Sequence, residues 1–192
     1  MLAEKLRQAL GRRAPATVRA EGAQRAAVAV VVTAGPDSAI LFVKRQERSG
    51  DPWSGHMAFP GGFMASDEHD IETTAVRETF EETGLDLGRH GELVGRLDDV
   101  YPRSVLLPKV VVTPVVFGVP ATLTVAPGPE VQEALWLPAA QIFSPASRRP
   151  YTLELPIGTR VFDSIAIDGY IIWGLTERVL SQINAIVTAL TD

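Results

Sequence analysis

Residues 70–83 contain no glycine or proline, and the run ends at Gly84. The expected structure is a helix over 70–83 with Gly84 as its stop. Inside it, Arg77-Glu78-Thr79-Phe80-Glu81-Glu82-Thr83 sets three glutamates close together. At about 100° per residue, Glu78, Glu81 and Glu82 fall within an arc of roughly 100° on one side of the helix. Val76 and Phe80 are expected to point the other way, toward a core.

Such a face is unfavourable on local grounds. Like charges three and four residues apart repel by a few tenths of a kcal/mol per pair. Glu81 and Glu82 also lie in the last turn, at the negative end of the helix dipole. Arg77 precedes Glu81 by four, the poorer order for a helical ion pair. One arginine does not neutralise three carboxylates, whereas a divalent cation does, and clustered hard oxygen donors suit magnesium or manganese. Acidic runs are most often solvated surface, so the helix alone leaves both readings open. The upstream context favours a site. Phe59-Pro60-Gly61-Gly62 precedes the helix, and paired glycines let a backbone approach another group closely.

The remaining pattern is that of a mixed α/β sandwich. Leu2, Leu6 and Leu10 mark a short amphipathic helix over 2–11. Ala26–Thr33 and Ile40–Val43, separated by the turn Gly35-Pro36-Asp37-Ser38, read as a hairpin. Residues 46–62 read as one long loop, a length usually tied to function. Strands are expected at Leu93–Leu97, Val110–Val119, Leu123–Val125 and Ala134–Leu137, with a helical turn over Pro138–Phe143. Short strands follow at Thr152–Leu155, Arg160–Phe162 and Tyr170–Trp173, then an amphipathic helix at Leu175–Leu190.

At 192 residues, one domain over 1–192 is expected, with 1–24 as an N-terminal helix and loop and 25–192 as the core with its C-terminal helix. A hydrophobic fraction of 46% excludes disorder as the main state. Cysteine is absent, which excludes disulfides, thiolate metal sites and a cysteine nucleophile. The net charge of -5 disfavours a nucleic-acid surface while leaving room for a local phosphate pocket. The longest apolar runs, Ala26–Ala34 and Val110–Val119, are too short to cross a bilayer, and the first residues carry no apolar signal core. The expectation is a cytoplasmic protein with no membrane or nucleic-acid partner; oligomeric state is not readable.

Gly62 through Leu85 resembles the Nudix box, the signature of Nudix hydrolases, written G-x5-E-x7-R-E-U-x-E-E-x-G-U with U aliphatic. Arg77, Glu78, Glu81, Glu82, Gly84 and Leu85 match. Thr79 stands at an aliphatic position. Glu68 has the right spacing from Gly62, but eight residues, 69–76, separate it from Arg77, one more than the pattern, and His69 holds the position counted backward. The resemblance implies a Nudix-type α/β/α sandwich with a mixed β-sheet, two or more magnesium ions, and cleavage of a diphosphate joined to another moiety. It also implies roles. Glu78, Glu81 and Glu82 are the expected metal ligands, Gly62 offers its carbonyl, and Glu78 also orients or deprotonates water. Arg77 braces that glutamate. A later acid often assists in this family; Glu130 and Glu133 are the candidates, and Glu133 joins Arg77 and Glu78 in the expected catalytic set.

The approach to the box is similar to the coenzyme A diphosphatase branch, which reads L-L-T-x-R-(S/A)-x3-R-x3-G-x3-F-P-G-G. Arg45 and Gly55 through Gly62 match; Gln46 replaces the small residue, Arg48 falls two positions early, and one extra residue precedes Gly55. Leu97-Asp98-Asp99-Val100 and the stretch from Tyr170 to Thr176 also look like that branch. The implied substrate is coenzyme A or an acyl ester, cut to 3′,5′-ADP and 4′-phosphopantetheine. Arg45 and Arg48 are then expected at phosphate oxygens, and Phe59 or Trp53 on a base. His56 reads as a loop hydrogen-bonding residue, and Trp136 and Trp173 as core. The alternatives are a Nudix hydrolase of another nucleotide, such as ADP-ribose, NADH or a nucleoside triphosphate, and a non-catalytic nucleotide-binding module.

Overall fold

The computed structural model describes residues 1–47, 54–102, 108–155 and 158–190. In chain order the elements are α1 (Leu2–Leu10), β1 (Gln24–Thr33), β2 (Ala39–Arg45), β3 (Met57–Ala58), β4 (Gly61–Phe63), α2 (Ile71–Thr83), α3 (Leu87–His90), β5 (Glu92–Arg96), β6 (Val110–Val119), β7 (Val131–Pro138), α4 (Ala139–Ile142), β8 (Arg148–Leu155), β9 (Gly158–Ile167), β10 (Tyr170–Trp173) and α5 (Gly174–Thr188). The main sheet runs β3-β2-β1-β6-β5, with β4 added to β1 and β7 to β2. β1 and β6 are parallel over their whole length, from Gln24 opposite Val110 to Thr33 opposite Val119; the other pairs are antiparallel. A second antiparallel sheet runs β10-β9-β8.

The valine-rich strands are central because both of their faces are covered. On β1, Val30 and Val32 pack with Leu6 and Leu10 of α1 and with Leu180 and Ile183 of α5. Ala27, Ala29 and Val31 point the other way, to Ile71 and Ala75 of α2 and to Leu87 of α3. This is the expected α/β/α layering with a mixed sheet.

Three expectations change. The long loop over 46–62 contains β3 and the first residues of β4. Leu123–Val125 is not a strand. The Leu123 carbonyl accepts from the Trp136 indole at 2.9 Å and the Ala126 amide donates to the Thr83 carbonyl at 3.0 Å, so these groups serve a side chain and a helix end rather than a ladder. Phe80 is 57% exposed, not in the core. The buried stripe of α2 is Ile71, Thr74, Ala75, Thr79, Glu82 and Thr83. Its buried threonines are satisfied along the helix: Thr79 Oγ1 donates to the Ala75 carbonyl at 2.7 Å and Thr83 Oγ1 to the Thr79 carbonyl at 2.6 Å. Thr79 therefore fills an aliphatic position without an unpaired hydroxyl.

Candidate active site

Helix α2 begins at Asp70, whose side chain accepts from the Thr73 amide, and ends at Gly84 in the left-handed region at φ 69°. Its C-terminal half carries Glu78, Glu81 and Glu82, and their surroundings divide them. Arg77 lies beside three of the carboxylates. Its Nε donates to Glu68 Oε1 at 2.9 Å, and its Nη1 to Glu78 Oε1 at 2.7 Å and Glu81 Oε2 at 3.1 Å. Its Nη2 donates to the Phe63 carbonyl at 3.1 Å. Glu68 also accepts from the Ala65 amide and from Thr74 Oγ1. Bonding to Arg77 and these donors outweighs burial and holds its carboxyl down at about 2. The extra residue between Glu68 and Arg77 thus leaves the pair in contact. Glu81 keeps its Arg77 contact but its side chain is 55% exposed.

Glu78 and Glu82 turn inward, one helical turn apart. Glu82 is 4% exposed and accepts from the Gly61 amide at 2.9 Å. Burial pushes its carboxyl up to about 7 against that bond, and the charges of Glu78 and Glu130 push the same way. Glu78 is raised too, by burial first, with Arg77 opposing. The glycine pair fits around these groups. A β-carbon on Gly62 would overlap the Glu78 carboxyl group, 2.6 Å from Oε2. One on Gly61 would stand 2.7 Å from the Val28 α-carbon. β4 can pair with β1 and underlie the carboxylates only because neither position has a side chain.

These groups line a cavity of about 590 Å³. The lining includes the charged side chains of Arg45, Arg77, Glu78, Glu82 and Glu130, with Gly61 and Gly62. It also includes apolar residues, Val28, Val110, Val112, Leu175 and Val179 among them, the first four packed in one cluster. The first turn of α5 lines it as well, with no side-chain cap, so the positive end of that helix dipole lies at the cavity.

The NUDIX domain pattern matches residues 23–155. The chain belongs to the Nudix family. Over 111 residues it is 38% identical to the uncharacterized protein C14C4.10c of Schizosaccharomyces pombe, covering 55% of this chain and 33% of that one. Over 81 residues it is 36% identical to the mitochondrial coenzyme A diphosphatase NUDT8 of Mus musculus, covering 42% and 36%. The match thus spans about a third of each relative's length. Among solved structures, a MutT/nudix family protein from Enterococcus faecalis superposes with a TM-score of 0.57 at 20% identity, covering 98% of this chain and 70% of that one. The NUDIX domain of Shewanella oneidensis NrtR, complexed with ADP ribose, gives 0.52 at 18% identity, covering 86% and 89%. Both share the fold.

Within this Nudix chain, the expected site residues separate. Arg45, Gly62, Arg77, Glu78 and Glu82 converge on the cavity. Of the two later acids it is Glu130 that lines it. Glu133 lies within β7 rather than in a loop, accepts from the Tyr170 hydroxyl at 2.6 Å and stands 3.5 Å from Lys44 Nζ. That bond raises the Tyr170 hydroxyl's pKa. Phe59 borders the cavity but is 3% exposed and stacked on Phe42 at 5.0 Å, so it is core rather than an open platform for a base. Trp173, expected in the core, lines the cavity and is ringed by His56, Tyr151 and Phe162. Arg48 and Trp53 lie outside the described residues. The alternation of the strand around Trp173 gave no sign of the cavity; only the docking of α5 does.

The donor set fits a hard divalent cation. Two inward carboxylates, both raised by burial first and both by the charge of Glu130, supply hard oxygen donors beside the glycine pair. Among the described residues no three or more acidic or histidine side chains stand close enough together to hold a metal ion by themselves. Glu81, the third of the expected trio, shares Arg77 Nη1 with Glu78 but is more than half exposed and does not line the cavity.

Proposed function

We propose that this chain hydrolyses a nucleoside-diphosphate-linked compound with the help of magnesium or manganese, and that the compound is coenzyme A or an acyl-coenzyme A. The observation that carries the reading is the convergence of Glu78 and Glu82 with Gly61–Gly62, Arg45 and Arg77 on one cavity that also has an apolar lining. Glu78, Glu82 and Glu130, with the Gly62 carbonyl, are the groups that would hold the cation. When bound, the metal neutralises diphosphate charge and lowers the pKa of a coordinated water. The chain's own residues do the rest. Arg45 and the uncapped first turn of α5 bind phosphate oxygens. Arg77 fixes the Glu78 carboxylate, which orients the attacking water. The water's oxygen joins one phosphorus as the bond from that phosphorus to the bridging oxygen breaks. The bond's electron pair leaves on the other phosphate, and the water's proton passes to a carboxylate of the same wall. The apolar lining takes the part of the substrate beyond the diphosphate.

The coenzyme A assignment is supported by the run from Gly55 to Gly62 with Arg45 upstream and by the similarity to a coenzyme A diphosphatase. It is tested by product analysis over a panel of diphosphates with magnesium. Release of 3′,5′-ADP from coenzyme A is expected; cleavage of ADP-ribose, NADH or a nucleoside triphosphate in its place would assign another substrate. Glu82→Gln should lower turnover about 100-fold or more while the protein stays folded. A parent protein that binds these compounds and turns none over would instead be a binding module.

A further inference from the structure

We propose that Gly128 is a positioning residue of this site: lacking a side chain, it lets residues 126–128 close on the C-terminal turn of α2, and that contact sets where Glu130 enters the cavity. The inference rests on the metal-binding part of the function proposed above.

The last carbonyls of a helix have no partner within it. Here two of them are taken by this segment. The Ala126 amide donates to the Thr83 carbonyl at 3.0 Å and the Gly128 amide to the Glu82 carbonyl at 2.9 Å. A β-carbon on Gly128 would overlap the Glu81 carbonyl oxygen and stand 3.2 Å from the Glu82 α-carbon. Those are backbone atoms of the helix, so the segment itself would have to move. Beyond Gly128 the chain is held again. The Val131 amide donates to the Gly128 carbonyl at 3.2 Å, closing a turn over Pro129 and Glu130. The Gln46 amide donates to the Glu130 carbonyl at 3.3 Å and Gln46 Nε2 to the Val131 carbonyl at 3.0 Å. Glu130 is therefore suspended between the end of α2 and the end of β2, the two places from which Glu82 and Arg45 reach the cavity.

Glu82 is the common anchor. Its carboxylate receives the Gly61 amide and its carbonyl receives the Gly128 amide. One residue thereby sets the glycine pair on one side and the Glu130 turn on the other. The device also accounts for Gln46, which stands where the coenzyme A pattern has a small residue: its side chain holds the far end of the turn.

The test is a double-mutant cycle in Mn2+ affinity, read by electron paramagnetic resonance on the full chain without substrate. Gly128→Ala and Glu130→Gln should each weaken Mn2+ binding about tenfold, with folding checked by circular dichroism. Together they should bind Mn2+ no more weakly than Glu130→Gln alone, because the glycine acts through the glutamate. In turnover assays Gly128→Ala should lower kcat and leave KM unchanged. Additive losses would overturn the proposal, since Gly128 would then act through α2 itself, and so would unchanged Mn2+ affinity in Glu130→Gln. If Gly128→Ala does not fold, Pro129→Gly, which loosens the same turn without adding an atom, takes its place with the same two outcomes. A parent protein that binds no Mn2+ would sink the metal reading along with this one. A parent whose binding is lost in Glu82→Gln but kept in Glu130→Gln would sink this inference alone.

Discussion

Glu82 combines burial, negative charge and a place in the last turn of a helix, and each of these opposes its ionisation. Its pKa in the folded chain is about 7, against an ordinary 4.5. The folded protein therefore holds a proton that the unfolded chain releases between pH 4.5 and 7, and stability falls as pH rises through that window. Without metal, Glu82→Gln should remove this loss and stabilise the protein at pH 8 by on the order of 1–2 kcal/mol. Thermal melts in EDTA from pH 5 to 9 would check it, and magnesium should raise the parent's Tm but not the variant's. Equal Tm with and without millimolar magnesium in the parent would contradict the site. Glu68 has the opposite sign. Its carboxyl sits near 2, so its contribution is full above pH 4.5 and is lost as pH falls toward 2. Glu68→Gln should flatten that acid limb of the stability curve in acid titrations followed by circular dichroism.

At the scale of the element, the register of α2 decides which residues do work. Its buried side is small, Ala75 and Thr79 among it, and so the helix lies close to β1 with Glu78 and Glu82 over the glycine pair. Phe80 is left outside. Phe80→Ala should change stability by less than about 0.5 kcal/mol, whereas Phe42→Ala, in the core against Phe59, should cost about 3–5 kcal/mol. Denaturant melts of the two variants would separate them, and a large loss at Phe80 would refute the helix register. The C-terminal end of the helix was legible because its stop is local, a glycine after the last turn, whereas Asp70, read as the first helical residue, is its N-cap. β3 and β4 were not legible, because two- and three-residue strands carry no period and exist only where β1 and β2 receive them.

Across the whole molecule, the stretch Leu97-Asp98-Asp99-Val100 ties the N-terminal segment to the sheet. The Asp99 side chain is 2% exposed. It accepts from the Val18 amide at 2.9 Å and from Thr113 Oγ1 at 2.6 Å, and the Asp99 amide donates to the Ala16 carbonyl at 2.9 Å. Asp98 accepts from the Ala16 amide and from Arg13. Asp99→Ala should cost about 2–4 kcal/mol and raise hydrogen exchange over residues 14–20; unchanged exchange there would show that the segment is held by other contacts. Among the described residues no helix is long and apolar enough to cross a membrane.

Periodicity, caps and the spacing of Arg77, Glu78, Glu81 and Glu82 were enough to place the acidic helix, the valine-rich strands and the family, because each depends on residues a few positions apart. The assignment of partners was not contained in them. That Arg77 reaches Glu68 across an extra residue, that Glu130 rather than Glu133 lines the cavity, that Phe59 turns into the core while Trp173 borders the cavity, all follow from strand order and helix docking. Those bring together groups tens of residues apart, and only the packed chain specifies which side of each element faces which neighbour.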